Sequence, residues 1–191
     1  MSEITTNDNI DQIAQHIRQI ITLLGEDPQR EGLLKTPQRA AKALWKITEG
    51  YRTSPTEILQ QAIFEYTGSK IVIVKDIEFY SMCEHHILPF FGKVSIGYIP
   101  QGNMIGLSKL ARLVNVFARR LQVQERFTAQ LCDEVYSTLH ARGVIVHCNA
   151  HHLCMKMRGV EKQDSTTTTT DYIGAFADDP TLRREFFDAL R

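Results

Sequence analysis

The chain has 191 residues, 43% apolar and 23% charged, a globular composition that excludes wholesale disorder, collagen-like repeats and a coiled-coil rod. Its 22 Lys and Arg balance its 22 Asp and Glu, so bulk coating of nucleic acid, which relies on excess positive charge, is not expected. No apolar run approaches the ~20 residues of a membrane helix, and the polar stretch Met1 to Asp11 lacks a basic-then-apolar leader pattern, so a cytoplasmic protein that uses neither membrane nor nucleic acid is expected.

The first third reads as helical. Ile10, Ile13, Ala14, Ile17, Ile21 and Leu24 recur at three and four, the spacing of one helix face, with Asp8 or Asn9 as cap and Gly25 as stop. Thr36-Pro37 opens a second helix that ends at Gly50. Ser54-Pro55-Thr56-Glu57 opens a third through a capping box.

The middle changes period. Ile71 to Ile77 and Lys93 to Ile99 read as strands, the second with Val94, Ile96 and Tyr98 on one face. Tyr80 to Gly92 then forms an ordered connection. Ser108 caps a helix with Leu110, Leu113, Val114 and Phe117 inward; a further helix carries Phe127, Leu131, Val135 and Leu139 and stops near Gly143. Val144 to Arg158 reads as one long strand, with His152, Cys154, Lys156 and Arg158 on one face and His151, Leu153, Met155 and Met157 on the other. The tract Ser165 to Thr170 favours a strand because Thr is β-branched, and Asp179-Pro180 caps a last helix through Leu190. The order predicts an α+β fold with an antiparallel four-stranded sheet. Residues 1–66 are expected to form an N-terminal helical segment and 67–191 the domain that carries the chemistry.

Of four cysteines, two sit among histidines, in Cys83-Glu84-His85-His86 and His151-His152-Leu153-Cys154. A disulfide framework is not expected in a cytosolic chain of this size. The C-x-x-H spacing lets one turn present Cys83 and His86 to a single ion, with Cys154 as third ligand. Two thiolates and an imidazole suit zinc, and three protein ligands leave a position for water. A structural site closed by Cys148 or His152, or buried thiols without metal, also fits the spacing. With Cys83, His86 and Cys154 as ligands, His85 and His152 are left for acid–base work near neutral pH, or for packing.

Lys109 and Arg112 stand one turn apart at a helix start, where free N–H groups favour phosphate, and Arg158 is a further cation for it. Ordinary surface charge is the alternative. Glu125, in Val123-Gln124-Glu125-Arg126, either accepts two N–H donors from a guanine edge or simply answers a helix dipole.

The segments Phe79 to His86 and Leu88 to Lys93 closely resemble GTP cyclohydrolase I. So do Ile105 to Arg112, Arg120 to Arg126, His152 to Met155, and Arg158-Gly159-Val160. The resemblance runs from about Glu26 to the C-terminus. It implies the tunnelling fold, with sheets joined across subunits into the barrel of a ring-shaped homodecamer and active sites between subunits. It implies conversion of GTP and water to formate and 7,8-dihydroneopterin triphosphate, at the start of folate and other pterin synthesis. By motif position, Cys83, His86 and Cys154 match zinc ligands, one ion per subunit, and His85 and His152 match catalytic histidines. Ser108, Lys109, Arg112 and Arg158 match groups that hold ribose and triphosphate, with Ser108 also a candidate for proton transfer. Gln124 and Glu125 match the guanine-reading pair.

Overall fold

The computed structural model describes residues 6–158 and 162–191. Gly159 and Val160, part of the resemblance, lie outside the described residues. The chain divides into two compact units, Met1–Glu49 and Gly50–Arg191.

In the first unit, α1 (Thr6–Leu23) packs on α2 (Thr36–Ile47), and Gln38 Nε2 donates to Asp11 Oδ1 at 3.0 Å. Asp8 lies inside the first turn of α1 rather than capping it. Lys35 holds the cap position of α2, so Thr36 is already helical and Pro37 falls in the first turn, where its missing N–H costs nothing.

The second unit opens with α3 (Pro55–Gln60), whose cap Ser54 accepts from the Glu57 N–H as the capping box requires. Then come β1 (Ile63–Tyr66), β2 (Val72–Cys83), β3 (Leu88–Ile99), β4 (Gly102–Ile105), α4 (Leu107–Ala118), β5 (Leu121–Gln122) and α5 (Gln124–Leu139). The chain closes with β6 (Gly143–His152), α6 (Leu153–Lys156), β7 (Thr167–Gly174), α7 (Ala175–Asp178) and α8 (Pro180–Leu190). The main sheet has the order β5-β2-β3-β6-β7. Its four long strands are antiparallel, as expected; β5 adds a two-residue parallel pairing on Met82 and Cys83. A separate small sheet pairs β1 with β4.

One face of the main sheet carries the core. Phe79, Phe90, Val94, Ile96, Val144, Val146 and Cys148 pack against Leu110, Leu113 and Phe117 of α4 and Phe127, Leu131 and Val135 of α5. At ~25 cal/mol per Å² of apolar surface, this two-layer contact is the main force holding the unit together.

Three further expectations change. Tyr80 to Gly92 is not a connection: β2 and β3 run through it and leave four residues, 84–87, as the turn. Ser108 is not a cap: Gly106, in extended backbone, holds that position, and Ser108 lies within α4. Val144 to Arg158 is not one strand: β6 ends at His152 and the chain coils into α6. The shared face assigned to His152, Cys154, Lys156 and Arg158 therefore does not exist.

Candidate active site

Cys83 is the last residue of β2, held by pairing to Leu88 of β3 on one side and to Gln122 of β5 on the other. Past it the chain makes a tight turn in which the His86 and Ile87 N–H groups both return to the Cys83 carbonyl, at 3.4 and 2.8 Å. Ile87 takes a left-handed φ of 54° to re-enter β3. The turn is tied to β5 and α5: Glu84 N–H donates to Gln122 O at 3.0 Å, and Arg126 donates to the Glu84 carboxylate. Arg126 Nε also donates to Gln122 Oε1 at 2.8 Å.

The second cluster arrives from β6. The β3–β6 register sets His152 opposite Phe90, and the single helical turn of α6 then swings Cys154 toward β2. Ligand atoms of Cys83, His86 and Cys154 come within 4.8 Å of one another. Cys83 is buried, Cys154 half-buried and His86 exposed. Burial raises the Cys154 thiol above its usual range, and the adjacent Cys83 adds to this, because two neighbouring thiols resist ionising together.

His85 Nδ1 lies 3.8 Å from Cys83 Sγ, and the His85 and His86 rings diverge, 72° apart in plane. His152 Nε2 meets Gln124 Oε1 at 2.8 Å, and burial pushes its imidazole below the usual value while Glu125 opposes that shift. Arg158 reaches the same place: its Nη2 donates to His86 Nε2 at 2.5 Å. Cys148 is elsewhere. It is fully buried in the core, where burial pushes its thiol up to about 12, and it is not among the groups that converge with Cys83, His86 and Cys154.

A cavity of about 220 Å³ contains this group, with Glu125, His85, His152 and Cys154 in its wall. A larger cavity of about 530 Å³ lies on the opposite face of the sheet, around Tyr80, Lys93, His147 and His151 and bordered by Leu190 of α8. It contains none of Cys83, His86 and Cys154, so the smaller cavity is the chemical one.

Ser108, Lys109 and Arg112 do not join it. The C-terminal end of α4 leads into β5 beside Cys83, so the 12-residue helix carries its N-terminus away from Cys83, by about 18 Å at 1.5 Å per residue. Lys109 Nζ there donates to Gln61 Oε1 at 2.8 Å.

Sequence reasoning assigned no role to Phe90, Gln122 or Arg126. Phe90 stacks on His152, with centroids 4.7 Å apart and planes within 3°; nothing in an apolar Pro-Phe-Phe run signals that partner before the β3–β6 register is known. Gln122 and Arg126 stand in a polar motif whose spacing alone is uninformative.

The family model for GTP cyclohydrolase I matches residues 13–191, a span that begins earlier than the motifs indicated. GTP cyclohydrolase 1 of Porphyromonas gingivalis is 55% identical over 190 residues, covering 100% of this chain and 98% of that protein. GTP cyclohydrolase 1 of Bacteroides fragilis is 54% identical, covering 95% and 93%. GTP cyclohydrolase 1 1 of Pseudomonas aeruginosa is 52% identical, covering 93% and 96%. A match of this length and identity takes in both Cys/His clusters and the strands and helices that converge them, and the chain belongs to the GTP cyclohydrolase I family.

Proposed function

We propose that this protein is a zinc-dependent GTP cyclohydrolase I, which opens the purine ring of GTP at C8 and yields formate and 7,8-dihydroneopterin triphosphate for pterin and folate synthesis. The observation that carries the reading is the convergence of Cys83, His86 and Cys154 in one cavity with Glu125, His85 and His152.

The donor set fits zinc. A tetrahedral ion with bonds of ~2.3 Å to sulfur holds its ligands ~3.8 Å apart, so donors within 4.8 Å close on it with small rotamer changes. Arg158 must yield His86 Nε2 if the ion takes that nitrogen. Bound zinc would supply Lewis acidity that makes a water nucleophilic near neutral pH.

The chain's own residues do the rest. Glu125 accepts the N1 and N2 hydrogens of guanine, a donor pair that adenine lacks. His152 gives a proton to N7, which makes C8 electrophilic. After ring opening and release of formate, His85 and Ser108 move protons as the ribose opens, rearranges and closes onto the freed amine. Lys109, Arg112 and Arg158 hold the triphosphate.

Ser108, Lys109 and Arg112 lie in the N-terminal half of α4 and outside the cavity of their own chain, so in this reading a neighbouring subunit brings them to it. A ring-shaped homodecamer with shared active sites and a barrel closed across subunits does this. The edge strand β7, eight residues long and paired only with β6 among the described residues, offers the edge that such closure needs. Four free thiols suit the reducing cytoplasm. Formate release from GTP, measured with and without a zinc chelator, tests the reading; turnover that survives complete zinc removal would refute it.

A further inference from the structure

Gln124 opens α5, at the end of a helix where side chains usually meet solvent, yet it is 1% exposed. Its amide nitrogen donates to the Cys148 carbonyl at 3.3 Å, the Thr167 carbonyl at 2.9 Å and Thr169 Oγ1 at 3.2 Å. Two of these three are backbone carbonyls, which only accept, so this corner of the amide must be the NH₂ group. The other corner is then the oxygen, and it lies 2.8 Å from His152 Nε2. An amide oxygen cannot donate, so His152 Nε2 must carry the hydrogen.

The surrounding hydroxyls obey the same direction. Thr128 Oγ1 donates to the Gln124 backbone carbonyl at 2.8 Å, and it lies 2.6 Å from Thr169 Oγ1. With its own hydrogen committed, Thr128 accepts from Thr169, whose free lone pair accepts from the Gln124 amide. The two hydrogens of the Gln124 amide are shared among three acceptors, so its NH₂ group has none left for a further partner.

We infer that Gln124 is a positioning residue that acts through His152. It holds the Nε2 hydrogen and so presents Nδ1 to the substrate, while the Phe90 ring, 4.7 Å away and parallel within 3°, fixes the plane of the imidazole. The inference rests on the GTP reading above but departs from guanine pairing by Gln124. A base contact would require its amide to abandon a buried strand carbonyl, which costs the desolvation of an unpaired acceptor. Base recognition then falls to Glu125 alone.

Two measurements test this. Neutron diffraction from the perdeuterated, zinc-loaded protein should show deuterium on His152 Nε2; deuterium on Nδ1 alone overturns the inference. This needs no variant and so does not depend on how a substitution folds. Kinetics supply the second arm: Gln124→Leu should lower kcat on the order of 10²-fold, the cost of a misplaced catalytic group. KM for GTP should be unchanged, as should the preference for GTP over inosine triphosphate, which lacks the 2-amino group. A raised KM with collapse of that preference would show that Gln124 reads the base and would overturn the inference. Wild-type protein with no GTP turnover would instead refute the functional reading, and the neutron result stands apart from that outcome.

Discussion

Phe90 and His152 face each other across β3 and β6, their rings stacked at 4.7 Å and within 3° of parallel. The aromatic face covers one side of the imidazole, whose overall burial is the main cause of its lowered pKa. Phe90 also meets Phe79 edge-on at 5.8 Å, so the stack joins the site to the core. Phe90→Leu should keep the fold at a cost of about 1 kcal/mol, as conservative core swaps do. It should reduce GTP turnover by up to ~10²-fold, because the imidazole loses its orienting face. Thermal unfolding beside steady-state kinetics checks both; unchanged kinetics would mean that the stack is packing only.

Glu125→Gln should abolish most GTP turnover while leaving zinc content and oligomer unchanged. The substitution puts a donor NH₂ where guanine offers donors, and sites built to hydrogen-bond a substrate discriminate by 10⁴–10⁵-fold. Kinetics with GTP and metal analysis of the same preparation decide it. Wild-type turnover in the variant would remove Glu125 from base recognition.

His85 and His86 are neighbours with divergent rings, and only His86 joins Cys83 and Cys154 among the candidate metal groups. His86→Ala should arrive without zinc and without activity. His85→Ala should keep about one zinc per subunit and lose 10²–10⁴-fold in turnover, the usual loss of a general acid or base. Elemental analysis beside kinetics separates the two. Zinc loss in His85→Ala alone would exchange their roles.

Gly92 of β3 pairs with Ala150 of β6. A Cβ there would collide with the Asn149 carbonyl oxygen and lie 2.7 Å from Ala150 Cα. Both are backbone atoms that cannot swing aside. Gly92→Ala should therefore destabilise the protein by about 3 kcal/mol and, by shifting the strand that ends at His152, impair zinc loading as well. Denaturant unfolding and zinc content measure the two effects; a variant as stable as wild type would contradict the strand spacing.

In solution the protein should behave as a large ring, and removing the ring should remove activity, because the proposed function has Ser108, Lys109 and Arg112 reach the cavity from another copy. Multi-angle light scattering on active material tests this. A stable, fully active monomer would rule out the shared site.

Local chemistry was legible in the sequence. The C-x-x-H pair is four residues long, and one turn suffices to converge it. The inward residues of α4 and α5 follow the 3.6 period because each helix buries a single face, and Asp179 caps α8 as its position before Pro180 predicts. The four long strands were each touched by a correct segment. Their extents were misread where a functional cluster or a proline interrupted the pattern, as at Cys83 and Pro89. The strands β1, β4 and β5 span two to four residues, too few for a period to show.

The tertiary structure alone decided how the second cluster reaches the first. Val144 to Arg158 alternates like a strand throughout, but a strand lasts only as long as its neighbour can pair. Past His152 and Phe90 the register would set Leu153 against Pro89, which has no N–H to offer a ladder, and the chain coils there instead. That turn delivers Cys154 to Cys83. Likewise, no spacing reveals that Gln124 is enclosed by the Cys148 and Thr167 carbonyls, because its partners come from two strands that are remote in sequence. Residue types and short spacings determined which chemistry was available; pairing between distant strands determined which atoms meet to perform it.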